Sequence, residues 1–207
     1  MNALTNQAVG DYLNDHYVST FQKVGTFKIV NGQKQGGNVA SYFCTTDGRV
    51  LHAVAGPVDA GTLLREAHWV IDRRKRVWEE SRGSDSRFLA LWRKAHAERL
   101  KNEHGREIDL RAMVGQAVLQ SFLSHGIEVP KGKWQQPLDK DKGKWQQPLD
   151  KQGRVHLLMV GYPLAKIDQI YPLVFDKILN QRVTDLPILE MDNPFPWVAA
   201  GNRQVKR

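Results

Sequence analysis

Apolar positions recur along this chain with two different periods, and the switches between them mark its elements. Residues 38–45 are rich in apolar and β-branched side chains, which predicts a strand. Asp47-Gly48 follows, a dipeptide that favours a tight hairpin turn. Val50 to Ala55 alternates as a returning strand, and Gly56-Pro57 ends it. Asp59 is then the candidate N-cap of a long helix. Leu63, Leu64, Ala67, Val70, Ile71, Val77 and Trp78 keep helical spacing with charges between them. A helix of roughly 22 residues would span about 33 Å. Residues 81–84 break it, and Ser84 or Asp85 can cap a second helix bearing Phe88, Leu89, Trp92 and Leu100. Gly105 ends that one. Asp109 starts a third, with Leu110, Met113, Val114, Ala117, Val118 and Phe122 on one face, closed by Gly126 and Pro130.

The flanks carry weaker patterns. Leu4 to Asn14 suits a short helix capped by Thr5, with Val9 and Leu13 on one face. Tyr17–Val24 and Phe27–Val30 are β-prone, and Gln33–Gly37 reads as a polar loop without phosphate-loop spacing. Toward the C-terminus, Arg154–Val160 reads as a strand, because the apolar run Leu157–Val160 fits one covered on both faces. Leu164–Leu179 reads as a helix. Residues 186–207 are extended and Pro-rich, with Phe195 and Trp197 in a candidate docking segment. Between these parts lies a tandem repeat: KGKWQQPLDKD at 131–141 and KGKWQQPLDKQ at 142–152, which differ only at Asp141 and Gln152. Its unit is too short for a solenoid, so it predicts a duplicated loop.

The hairpin, the glycines at 48 and 56, and Leu63-Leu64 facing the strands resemble the C-terminal half of the thioredoxin-like fold. In that family a hairpin with such a turn leads into the last helix with the same glycine spacing. This chain departs from it in two places. Ala40 stands where the family carries a cis-proline, and no CxxC is present. The resemblance implies an α/β fold: an incomplete thioredoxin-like β-hairpin/helix unit over residues 1–71, lacking its N-terminal strand and redox motif. An α-helical extension over 72–130, the repeat loop 131–152 and a C-terminal strand-helix unit with a Pro/aromatic tail over 153–207 complete the expected organisation. The missing strand is central in the family, between the strands that Tyr17–Val24 and residues 38–45 resemble. Its loss leaves a sheet edge for a partner protein, for self-association, or for Val155–Val160, whose alternative place is an accessory strand.

Composition narrows the functional classes. No apolar run is long enough to cross a membrane, and the start lacks a signal-peptide pattern, so the chain as written reads as cytoplasmic. An upstream segment would be needed to carry such a signal. Net charge is +8, and the excess lies outside the hairpin unit. Residues 1–63 carry four cations and four anions, 64–111 thirteen and nine, and 131–154 seven and three. Within the repeat, Trp134 and Trp145 stand among Lys131, Lys133, Lys142 and Lys144, a pattern able to stack on bases and neutralise phosphates. Solvated helix faces and a lysine-rich loop account for the same charges.

The one cysteine excludes an intrachain disulfide and a CxxC zinc site. Cys44 is the candidate redox thiol, with His52 able to face it across the hairpin. A lone strand cysteine is more often a small buried hydrophobe. Among seven histidines, His96 and His104 share a helix face beside Glu103. Without HExxH or clustered ligands they read as solvent-facing, and no catalytic set, metal or cofactor is assigned. Three functional readings follow. The first is a non-catalytic thioredoxin-like binding or scaffold protein. The second is a thiol-disulfide oxidoreductase or thiol peroxidase relative whose CxxC lies upstream of the recorded start. The third is a binder of nucleic acid or an acidic partner.

Overall fold

The computed structural model describes residues 3–22, 24, 27–30, 33–36, 38–110, 149–181 and 183. Helix α1 (Gln7–His16) follows a short 3₁₀ turn. Strands β1 (Phe27–Val30) and β2 (Gln33–Gly36) form one antiparallel pair, and β3 (Ala40–Cys44) and β4 (Val50–Ala55) another. Then come α2 (Ala60–Ser81), α3 (Asp85–His104), α4 (Lys151–Gly161) and α5 (Ile167–Leu173), the last running into a π-helical turn at Val174–Ile178.

The β3–β4 hairpin is the middle layer. Gly48 takes φ +78°, the left-handed conformation that makes glycine the favoured residue in its turn. Asp47 holds the turn by accepting hydrogen bonds from Thr45 and Arg49. All six residues of β4 are buried. Its alternation sorts them between two cores rather than between core and solvent. Leu51 and Val54 pack with Val9 of α1, Leu63, Ala67 and Val70 of α2, and Trp92 of α3. Val50, Ala53 and Ala55 pack with Val155, Leu158 and Met159 of α4, and with Ile170, Phe175 and Ile178. Asp59 caps α2 and Ser84 caps α3, each accepting from a backbone amide three residues on, and α2 has the 22 residues its pattern predicts.

Several expectations are corrected. Residues 154–160 are not a strand but most of helix α4. Asp150 caps that helix through a 2.7 Å bond from the Gly153 amide. Val155 to Val160 are all buried, so the helix is covered on every side. An apolar run without polar gaps has no period with which to separate such a helix from a buried strand. The strand-helix unit is therefore a helix-helix unit, and Val155–Val160 fills no gap in a sheet. Residues 17–22 form no strand. Tyr17 instead donates from its hydroxyl to Ala67 O at 3.0 Å, while Val18 and Phe21 face solvent. Gln33–Gly36 is a strand rather than a loop, with Val30 opposite Gln33 and Phe27 opposite Gly36. The cap of α1 is Asn6, not Thr5, and its side chain accepts from Val9 N. Asp109 and Leu110, the expected start of a third helix, are not helical, and the rest of that helix from residue 111, the repeat through residue 148 and the tail from 184 lie outside the described residues.

The outward edge of β4 is satisfied by side chains and by a loop carbonyl. Val50 N donates to Ala165 O at 2.9 Å. Ala55 N donates to Gln152 Oε1, and Gln152 Nε2 donates to Ala53 O. Leu51 O accepts from two ring nitrogens of α3. A buried backbone acceptor left without a donor is costly, and these contacts remove that cost without a further strand.

Candidate metal centre

A break in the hairpin register builds the site. Phe43 lies opposite His52 but Cys44 lies opposite Val50, which makes Leu51 an extra residue in β4. Such a bulge re-aims side chains next to it. His52 ends on the face of Phe43, its ring stacked 6.3 Å away and its surface fully buried. The Leu51 carbonyl turns toward α3, where it accepts from Trp92 Nε1 and His96 Nε2, both at 2.9 Å.

Helix α2 contributes Glu66 and α3 contributes Arg99, both buried. Arg99 Nη1 and Nη2 donate to the two Glu66 oxygens at 2.6 and 2.8 Å, a bidentate pair. Arg99 Nε donates to Glu103 Oε1 at 2.7 Å, and its guanidinium lies 4.6 Å from the Trp69 ring centroid. His52 Nε2 lies 3.1 Å from Glu66 Oε2. Burial would raise the Glu66 carboxyl, but hydrogen bonds from His52 and Arg99 prevail and hold it down at about 2. Burial acts on Arg99 in the opposite sense to its carboxylates, and the carboxylates raise it.

Helix α4 adds His156. Its Nδ1 lies 2.9 Å from His96 Nδ1, inside the protein. Burial disfavours the charged forms of His52, His96 and His156 and pushes all three below the usual imidazole range. For His52 the Glu66 contact opposes that shift without cancelling it.

The tautomers follow from the partners, since a carbonyl or carboxylate oxygen only accepts. His96 Nε2 carries a hydrogen toward Leu51 O, which leaves His96 Nδ1 with a lone pair. His156 Nδ1 therefore donates to it. His52 Nε2 carries a hydrogen toward Glu66, which leaves a lone pair on His52 Nδ1. That atom is buried and has no hydrogen-bond partner.

His52, His96 and His156 each present a nitrogen within 4.8 Å of the others. Three imidazoles on a tetrahedral ion with bonds of 2.0–2.1 Å need nitrogens about 3.3 Å apart. A carboxylate on the far nitrogen of a ligating histidine fixes its tautomer and raises its basicity, and Glu66 stands in that place behind His52. Trp69 flanks all three rings edge-on, with centroids 5.1 to 5.8 Å from theirs.

At the outer end, His104 closes α3. Its Nδ1 lies 3.3 Å from Asp150 Oδ1, and its Nε2 is buried without a partner. Glu103, His104 and His156 form a second group whose ligand atoms lie within 4.8 Å of one another.

The sequence-derived candidates fall elsewhere. Cys44 is half-buried in the opposite core, opposite Val50, so His52 does not face it. Burial pushes its thiol up, away from thiolate character. His96 and His104 do share α3 with Glu103, but His96 is fully buried rather than solvent-facing. Lys131, Lys133, Trp134, Lys142, Lys144, Trp145, Phe195 and Trp197 lie outside the described residues. Sequence reasoning missed His52, His156, Glu66, Arg99 and Trp69 as one cluster. The available signal was a histidine embedded in each of two apolar runs, VLHAVA and RVHLLMV. No helix among the described residues is long and apolar enough to cross a membrane. No family model, curated protein or solved structure matches this chain.

Proposed function

We infer that this chain is a metal-binding protein that holds one divalent transition-metal ion with His52, His96 and His156. The observation that carries the reading is the buried, unpartnered Nδ1 of His52, its ring oriented from behind by the Glu66–Arg99 pair. A buried lone pair without a donor is costly, and a cation removes that cost. Neutral imidazoles without thiolate suit zinc, copper, nickel, cobalt or iron rather than magnesium or calcium.

Cobalt(II) titration of the metal-free protein tests this, because bound cobalt gives ligand-field absorption and Trp69 reports its arrival by quenching. Wild type should show saturable binding. His52→Gln keeps a donor for Glu66 but lacks the Nδ1 lone pair, and should bind at least about tenfold more weakly. No ligand-field band in wild type, or equal affinity in the variant, overturns the reading.

A second reading is supported by the β3–β4 hairpin, its Asp47-Gly48 turn and the helix that follows from Asp59. That order resembles a thioredoxin-like module, here a non-catalytic binding protein. Among the described residues no strand pairs with the other edge of β3, which leaves that edge for a partner strand. Thiol-dependent reduction of insulin by this chain would count against it.

A further inference from the structure

Two histidines in this protein share one unusual arrangement. Behind each stands a carboxylate, Glu66 for His52 and Asp150 for His104. In front of each is a buried nitrogen without a hydrogen-bond partner, Nδ1 of His52 and Nε2 of His104. His156 lies between them, with ring centroids 5.0 Å from His52 and 6.0 Å from His104. It is also the residue common to both ligand groups.

We propose that Glu103, His104 and His156 form a second metal position, with the His156 imidazole shared between it and the three-histidine position. This rests on the reading of His52, His96 and His156 as a metal centre.

The ligand chemistry fits a second cation. The two nitrogens of an imidazole point apart, so one ring can serve two ions. Glu103 gives Oε1 to Arg99, which leaves its second oxygen for a metal. Formal charge favours cations here. Glu66, Glu103 and Asp150 are three anions, against Arg99 inside the cluster and Arg65 at its rim, 3.6 Å from Glu66. The two positions differ in kind. The first is all nitrogen and sealed inside the protein. The second includes a half-exposed carboxylate and lies at the end of α3, so it suits an ion that keeps water ligands.

The local sequence keeps His104 in place. Gly153, in the first turn of α4, would direct a Cβ to 3.1 Å from the His104 ring, so a side chain there would crowd it. Asp150 caps α4 through Gly153 N and lies against His104 Nδ1 with the same oxygen. Filling both positions takes the hydrogen off His156, because each nitrogen then gives its lone pair to a metal, and that proton passes to the buffer.

Cobalt(II) titration with proton counting tests the proposal on the full chain. Wild type should bind two equivalents and release about one proton per pair of ions bound. His104→Ala should bind one equivalent, with the affinity of the first unchanged. Asp150→Asn keeps an equally good helix cap but removes the carboxylate behind His104. It should weaken the second equivalent by about 10- to 100-fold and leave the first as it was. One equivalent in wild type, unaltered by His104→Ala, overturns the second position and leaves the first standing. No cobalt bound at all overturns both. Two equivalents in His104→Ala also overturns it.

Discussion

Removing the Glu66 carboxylate would leave the Arg99 guanidinium buried against Trp69 with Glu103 alone to balance it. The outcome follows from an asymmetry. A buried ion pair adds little net stability, but one partner left behind is costly. Glu66→Gln is expected to lower the unfolding free energy of the metal-free protein by about 3–5 kcal/mol, read by chemical denaturation. A loss below about 1 kcal/mol would mean that water reaches Arg99. Gly153→Ala sets two effects against each other. Alanine gains at most about 1 kcal/mol over glycine, the value for a helix interior and less in a first turn, whereas a methyl group forced against a packed ring costs about 1–3 kcal/mol. The His104 ring is fixed by its place at the end of α3 and by Asp150, so the clash should win and the variant should be destabilised. A stabilised variant would show that His104 moves aside freely. At this scale the caps were legible, because Asp59 and Ser84 act within one turn of their own position. The histidine cluster was not, since its members come from β4, α3 and α4 and meet only after both cores form.

Among the elements, the hairpin and α2 were legible because each has a clean period and local punctuation. Helix α4 was not, because its burial on all sides erases the polar gaps that reveal a helical period. Its first two residues, Lys151 and Gln152, and its cap, Asp150, are the last three residues of the second repeat copy, and this gives the repeat a structural consequence. Deleting 131–141 keeps Gln152. Deleting 142–152 instead joins Asp141 to Gly153, so the two products differ by one residue, glutamine or aspartate, at that place. Gln152 both accepts from Ala55 N and donates to Ala53 O. Aspartate has no donor and is one methylene shorter. The first deletion should change stability by less than about 1 kcal/mol, because loop closure varies slowly with length. The second should be less stable than the first by about 1–3 kcal/mol, the cost of unpaired backbone groups, offset in part by an anion in the first helical turn. Equal stabilities would show that water replaces the Gln152 amide at the β4 edge.

At the scale of the whole molecule, the described residues form two cores on either side of the β3–β4 hairpin, and a tyrosine reports on each. Tyr17 packs in the α1–α2–α3 core and donates its hydroxyl to Ala67 O. Tyr42 packs in the α4–α5 core, where its hydroxyl is buried without a partner. Burial is the main cause that pushes both phenols well above their usual range. A group whose folded pKa is raised contributes stability that is complete below its unfolded value, about 10 for tyrosine. That contribution is lost as pH rises through the folded value. Stability should therefore be insensitive to these two groups up to about pH 10 and fall above it, with phenolate absorbance from both appearing together with loss of helix. Two single substitutions separate the cores. Tyr17→Phe removes a satisfied hydrogen bond and should cost about 1 kcal/mol at neutral pH. Tyr42→Phe removes a buried hydroxyl that has no partner, so it should be neutral or stabilising by up to about 1 kcal/mol. Each should make the alkaline loss less steep by one tyrosine's share. If Tyr42→Phe instead destabilises at neutral pH, its hydroxyl is hydrogen-bonded in solution and that core is wetter than its packing indicates. If both phenols ionise near pH 10 while the helices persist, neither core is closed around its tyrosine.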